Sequence, residues 1–403
     1  MKTTHSNRRL SAAVAVGVSV TLLAACSSDP GTEATPAQTN SAATPRLAVS
    51  YDGGVVILDA ATLETVDEVT GIDGFTRLNP AGDGRHVFVS GSGAFTALDA
   101  GTWTEGSEFY TGVPALTDVK FDATTPGHVV RHDGKTVLFD DGTGLVQTFE
   151  SAALLDGTKP ETVDYATPEA HHGVAVELSD GSLLTTLGNE DERTGIVVLD
   201  KDRKEIVRNE QCPGVHGEAV AADETVVVGC EDGLLIYRDG EITKVQSPDA
   251  YGRIGNQAGD EDSAVLLGYY KVDPDAELER PTRVSLTDTV SGGLTLVDLG
   301  TSYTFRSLGR GPAGEAIVLG TDGALHVIDV NTKAVTKTIS VVDAWEEPVE
   351  WQEPRPALFV QDGTAFVSDP AKDSVHAVDL ATGAITATGV LDHTPNELTG
   401  VTG

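Results

Sequence analysis

The feature that most constrains this 403-residue chain is a short unit repeated along nearly its whole length. An apolar, β-branched strand ends in Asp, a turn follows, and another strand begins. The unit reads Val-Val-Ile-Leu-Asp59, Phe-Thr-Ala-Leu-Asp99, Thr-Val-Leu-Phe-Asp140 and Ile-Val-Val-Leu-Asp200, then Leu-Leu-Ile-Tyr-Arg-Asp239, Leu-Thr-Leu-Val-Asp298, Leu-His-Val-Ile-Asp329 and Val-His-Ala-Val-Asp379. The spacings are 40, 41, 60, 39, 59, 31 and 50 residues. Helical periodicity is nearly absent. Asp-Gly pairs at Asp52-Gly53, Asp133-Gly134, Asp180-Gly181, Asp232-Gly233, Asp322-Gly323 and Asp362-Gly363 supply hairpin signals between apolar runs. A period of about 40–50 residues with four strands per unit marks a β-propeller blade. The prediction is therefore an all-β fold, a single β-propeller of eight four-stranded blades. Seven blades is the alternative if one irregular interval is misread, and a pair of β-sandwiches is the competing all-β architecture. The first blade starts at Arg46 with only three strands, and segment 395–401 is expected to supply the fourth and close the ring. One ring over 46–403 replaces the two or three domains that length alone suggests.

Residues 1–25 read as a signal segment. Lys2, Arg8 and Arg9 precede an apolar stretch that ends in Leu23-Ala24-Ala25-Cys26, a run that resembles a bacterial lipobox. On that resemblance Cys26 is lipidated and becomes the first mature residue. An ordinary signal peptide or a short membrane anchor is the rival reading, and the apolar stretch is short for a membrane span. Residues 26–45 are rich in Ser, Thr, Ala, Pro and Gly and read as a flexible tether. The expected location is the outer face of the cytoplasmic membrane, reached by export and held only by the lipid.

Charge narrows the function. The chain carries 62 Asp+Glu against 27 Lys+Arg, a formal net charge of −35. That excludes a nucleic-acid binder, which must neutralise phosphates, and an electrostatic hold on anionic lipid. The apolar runs exclude an acidic disordered chain. With Cys26 carrying lipid, Cys212 and Cys230 remain. Outside the cytoplasm they are expected to form one disulfide; a pair of zinc thiolates is the alternative.

The histidines are the candidate chemistry. His326 and His376 lie in third-strand copies and His86 in a second strand, where they read as ordinary strand residues, and His393 lies in the last loop. His128, His171, His172 and His216 sit instead where one blade ends and the first strand of the next begins. His128, His172 and His216 are spaced by 44 residues in each case, so they are topologically equivalent in the third, fourth and fifth blades. Their side chains are expected to converge at one mouth of the channel. Even spacing favours His172 over His171 as the convergent partner. Three neutral imidazoles suit a zinc-type ion completed by a carboxylate or water. Glu218, two residues from His216, is the candidate to complete the shell or orient a ligand. The competing reading is that each His bonds local backbone. A Cys212–Cys230 bridge would hold the loop before His216.

Pro126-Gly127-His128, His171-His172-Gly173-Val174-Ala175-Val176 and Cys212-Pro213-Gly214-Val215-His216-Gly217-Glu218-Ala219 together resemble the periplasmic zinc metallochaperone AztD family. Gly229-Cys230 and the late segment from Pro354-Arg355-Pro356 to Ser368-Asp369-Pro370 resemble it too. The resemblance runs from about Arg46 to the end. It implies a propeller that binds Zn2+ and passes it to the solute-binding protein of an ABC-type zinc importer, as a monomer and not as an enzyme. Members often carry a His-rich N-terminal stretch and a second His-rich loop, and neither the tether nor segment 99–105 contains His. A second capture site is therefore not expected. The alternatives are a propeller enzyme, lactonase-like or quinoprotein-like, and an envelope interaction propeller without metal. A lactonase gathers hard oxygen ligands for calcium, unlike this histidine set, and a quinoprotein needs aromatic stacking that Trp103, Trp345 and Trp351 scarcely supply. The acidic-aromatic run Trp345-Glu346-Glu347-Pro348-Val349-Glu350-Trp351 reads as a packed loop between the last two blades, with a docking or metal-access surface as the alternative.

Overall fold

A computed structural model describes residues 37–403 apart from 92. The signal segment 1–25, Cys26 and the first part of the tether lie outside the described residues. The described end of the tether is not free: Gln38–Asn40 pairs with Glu108–Thr111, and with Thr102–Glu105 they make a small three-stranded sheet. Among the described residues no helix is long and apolar enough to cross a membrane.

Eight antiparallel four-stranded sheets form the blades of a β-propeller. In blades two to eight the first strands are, in order, Arg77–Pro80, Pro126–His132, Ala175–Glu177, His216–Ala221, Gln257–Ala258, Tyr303–Arg310 and Leu358–Gln361. Blade one is assembled from both chain ends. Its strands Arg46–Tyr51, Gly53–Asp59 and Thr65–Ile72 are joined by Leu398–Val401, with Arg46 opposite Val401 and Val49 opposite Leu398. An apolar cluster of Val49, Leu58, Phe366 and Val375 joins blade eight to blade one, and Val55, Ile57, Val87 and Leu98 join blade one to blade two.

Each sheet is covered on both faces by its neighbours. Middle strands such as Thr225–Cys230 are therefore buried at every position, whereas the outer strand Glu241–Gln246 alternates. This explains the continuous apolar runs in the sequence: a strand buried on both faces has no polar side. The closing Asp has its own role. Asp59 Oδ1 accepts the N–H groups of Ala61 and Thr62 at 3.0 Å, and Asp329 Oδ1 accepts those of Asn331 and Thr332 at 2.8 and 3.0 Å. A short carboxylate thus replaces the backbone partners lost at the turn.

Two copies of the unit occupy other positions. Asp140 ends the second strand of blade three, Lys135–Asp140, and Asp298 ends the fourth strand of blade six, Leu294–Asp298. The true third strands there are Leu145–Glu150 and Arg283–Asp288. The 60- and 31-residue intervals arise from these displaced copies. Asp140 performs the same chemistry on a different loop, accepting the N–H groups of Thr124 and Thr125 at 2.9 and 2.7 Å.

His132 ends the first strand of blade three and ties several blades together. Its Nε2 meets Glu224 of blade five at 2.9 Å and its Nδ1 meets Glu261 of blade six at 3.1 Å. Glu224 also accepts the Ser179 N–H at 2.8 Å, from a turn of blade four, and Arg131 lies near Glu261. A neutral imidazole donates once, so holding two carboxylates requires the charged ring. Burial opposes that charge, but the bonds and charges of Glu224 and Glu261 outweigh it, and the pKa of His132 is raised. A raised folded pKa stabilises fully below the unfolded value of about 6.5, and the gain is lost as pH rises through the folded pKa. His132→Leu is expected to cost about 1–3 kcal/mol at pH 6 and less at pH 9, measured by denaturant unfolding. An equal cost at both pH values would rule out the charged bridge.

Candidate metal centre

The three equivalently spaced histidines meet. His128 lies near the start of the first strand of blade three, His172 just before that of blade four, and His216 opens that of blade five. Their ring centroids are 5.4 Å (His128–His172), 5.8 Å (His128–His216) and 5.0 Å (His172–His216) apart. One ring nitrogen from each lies within 4.8 Å of the others, the one such group of metal-ligating side chains among the described residues. A tetrahedral zinc with bonds of about 2.0–2.1 Å separates its nitrogens by about 3.4 Å, so modest ring rotation would seat the ion.

Local backbone features aim these rings. Register shifts interrupt the pairing of strand Pro126–His132 between Pro126 and Val129, and of strand His216–Ala221 between His216 and Glu218. Such bulges turn side chains away from plain alternation. Gly217 makes the second bulge, with φ +70°. Gly127 is required for a different reason: a Cβ there would lie 2.2 Å from Asp141 Oδ1.

Two of the rings have Nδ1 hydrogen-bonded. His172 Nδ1 faces Asp141 Oδ2 at 2.5 Å, and His216 Nδ1 faces the Gly255 carbonyl. A carbonyl or carboxylate only accepts, so in these two the proton sits on Nδ1 and the Nε2 lone pair is left for a ligand. His128 Nδ1 lies 3.2 Å from Glu218 Oε2, close enough for charge attraction. Asp141 is fixed in turn, because its Oδ1 accepts the Gly173 N–H at 3.2 Å. Burial, with the neighbouring His128 next in weight, holds the His216 pKa well below the ordinary imidazole value. It is therefore neutral at neutral pH, as a metal ligand must be.

One of the expected site residues falls elsewhere. His171 is excluded from the cluster: it is 3% exposed and points into the blade interior. Its Nδ1 and Nε2 meet the Glu169 carbonyl at 3.0 Å and Thr186 Oγ1 at 2.9 Å, so neither nitrogen is available to a metal. Adjacent residues in an extended segment point to opposite sides, and only His172 faces the channel. Glu218 lines the same cavity, outside the ligating group, with its carboxylate 3.2 Å from His128 Nδ1. Cys212 and Cys230 are bonded to each other, with Cα atoms 4.9 Å apart and both side chains buried. This excludes them as thiolate ligands.

Asp141 and the Gly255 carbonyl were not legible beforehand. Asp141 follows a repeat-ending Asp and looks like part of the turn, and a backbone carbonyl leaves no mark in a sequence. The remaining histidines serve locally. His86 bonds Asp83 at 2.5 Å, His326 bonds Asp322, and His393 stacks on Tyr51 with centroids 3.9 Å apart. The loop 341–357 is pinned from inside by Arg355, 1% exposed, whose Nη1 donates to Glu347 at 2.9 Å and whose Nη2 donates to the Glu350 carbonyl. Trp351, 48% exposed, projects from it, packs edge-on against Phe75, and lines the cavity that also holds His128 and His172.

No protein-family model matches the chain. The zinc chaperone AztD of Citrobacter koseri is 29% identical over 278 residues, which span 66% of this chain and 63% of that protein. The match thus spans less than two thirds of the relative's length. A crystal structure of Citrobacter koseri AztD superposes with a TM-score of 0.77 at 24% identity, over 90% of this chain and 98% of that one. A structure of apo AztD from the same organism gives 0.77 at 24% identity, over 90% and 99%. The dihydro-heme d1 dehydrogenase NirN is more distant, with a TM-score of 0.57 at 11% identity over 88% of this chain and 74% of that one. The chain is similar to AztD in sequence and has its fold.

Proposed function

We propose that this protein is an extracytoplasmic zinc chaperone that holds Zn2+ on His128, His172 and His216 and delivers it to the solute-binding protein of an ABC-type zinc importer. The observation that carries this reading is the convergence of three imidazoles, two of them, His172 and His216, with Nδ1 hydrogen-bonded and Nε2 left over. The likeness to a zinc chaperone supports the choice of metal. Zinc favours nitrogen donors in a tetrahedral set with one position open, and three histidines with an outside ligand match that preference. A nitrogen-only group argues against a calcium-dependent hydrolase, which needs hard oxygens.

In this reading residues 1–25 are a signal peptide, Cys26 carries lipid, and the segment from 27 tethers the propeller of 46–403 beside the membrane. The anchor keeps a monomeric carrier near a membrane transporter. The acidic surface, net −35, would raise the local concentration of cations at low salt. Transfer then proceeds by ligand exchange at the open position: an incoming donor binds the metal before the imidazoles let go. No step needs a catalytic group.

A calorimetric zinc titration of residues 27–403 tests the reading, with tight uptake of one zinc per chain as the expected result. Absence of tight binding ends it. Asp141→Asn is expected to weaken zinc by about 10–100-fold, as loss of an outer carboxylate partner does elsewhere. The amide still fits beside Gly127 but polarises the imidazole less. An unchanged affinity would show that Asp141 does not tune His172.

A further inference from the structure

The cavity beside the three histidines is larger than a metal ion needs. It encloses about 390 Å3, whereas one water takes about 30 Å3 and small-molecule pockets begin near about 300 Å3. Besides His128, His172 and Glu218, it is lined by Arg77, Asn79, Asn256, Gln257 and Trp351. These groups form a second polar set with spare bonding capacity. Gln257 Nε2 donates to the Ile254 carbonyl at 2.8 Å, which turns its Oε1 the other way, where it is buried without a hydrogen-bond partner. The Arg77 guanidinium forms no ion pair among the described residues and lies 6.0 Å from the centre of the Trp351 ring.

A guanidinium fits a carboxylate, and an orphaned amide oxygen fits a hydroxyl. A divalent ion on three imidazoles keeps one position for an oxygen ligand. We propose that the cavity takes a small hydroxy-polycarboxylate together with the metal, one carboxylate on the metal, a second on Arg77, and its hydroxyl donating to Gln257 Oε1. The proposal rests on the zinc-binding reading and names the species that fills the open position. Charge sets the order of binding. Without metal, the carboxylates of Asp141 and Glu218 line the same cavity and repel an anion; a divalent ion reverses the sign of the field there. The carboxylate therefore binds after the metal and not to the metal-free protein. Such an occupant also protects the bound ion from competing donors and is itself displaceable by the acceptor.

Citrate is the probe, with tricarballylate as the analogue lacking the hydroxyl. Zinc uptake by residues 27–403 and by the Arg77→Ala and Arg77→Lys variants is measured first without citrate, and is expected to be equal in all three. Equilibrium dialysis with labelled citrate then follows. One citrate per zinc-loaded chain is expected, with none on the metal-free chain. Arg77→Ala is expected to weaken citrate at least about tenfold, Arg77→Lys less, because lysine keeps the charge and loses the fork. Tricarballylate is expected to bind more weakly than citrate. A chain that takes up no zinc overturns the zinc reading and this proposal with it. Normal zinc uptake overturns this proposal alone if citrate fails to bind, strips the metal without a ternary complex, or binds the Arg77→Ala variant as well as the parent.

Discussion

Replacing His216 by alanine is expected to lower zinc affinity by more than about 100-fold, beyond the loss typical of an outer-shell partner. His172→Ala should do the same. The argument is geometric. Among the described residues the cluster holds only three ligating side chains, and the two carboxylates beside it, Asp141 next to His172 and Glu218 next to His128, lie outside the ligating group. Nothing else in the ligating group replaces a lost imidazole. Burial holds the His216 pKa well below the ordinary imidazole value, so this ring offers its lone pair without first releasing a proton. His171→Ala is the control: it leaves the Glu169 carbonyl and Thr186 short of a partner and so affects stability, but zinc affinity should hold. Competition against a fluorescent zinc chelator reads all three variants. Retained affinity in both His172→Ala and His216→Ala would place the metal elsewhere.

Removing the disulfide is the second large effect. The Cys212–Cys230 bond closes a segment of 18 residues, and such a crosslink stabilises by about 3 kcal/mol, chiefly through the unfolded chain. A Cys212→Ala/Cys230→Ala variant should lose about that much in denaturant unfolding. It should also lose zinc affinity, for a local reason. The bond joins the segment leading into His216 to the strand on which His216 pairs, opposite Gly229. Without it, the loop 212–215 is freer and the ring spends less time facing its partners. Reduction of the parent protein should reproduce both losses. An unchanged unfolding midpoint would mean that the propeller already holds this loop without the bond.

Much of this was legible in the chain. A blade is a local object of about 40–50 residues, and each one repeats its pattern because each packs against like neighbours on both faces. The count of eight survived even though Asp140 and Asp298 end strands of other rank. A carboxylate that caps a turn looks the same whichever strand it follows. The 44-residue spacing of His128, His172 and His216 was a true statement of equivalence, since residues in equal positions of successive blades face one axis. The two adjacent histidines could be told apart only through that spacing.

What the sequence determined, then, is everything carried by local pattern: the all-β repeat, the blade number, the turn-capping Asp residues and the equivalent histidines. The tertiary structure alone decided what depends on groups far apart in the chain. Asp141 reaches His172 across 31 residues and Glu261 reaches His132 across 129. The Gly255 carbonyl reaches His216 across 39 residues. Packing of one blade against the next and across the channel brings these groups within bonding distance, and no periodicity records it. Arg77 and Trp351 meet in the cavity lined by His128 and His172 in the same way. Which nitrogen of His172 and of His216 is hydrogen-bonded, and which is left over, was therefore set by packing and not by the order of residues.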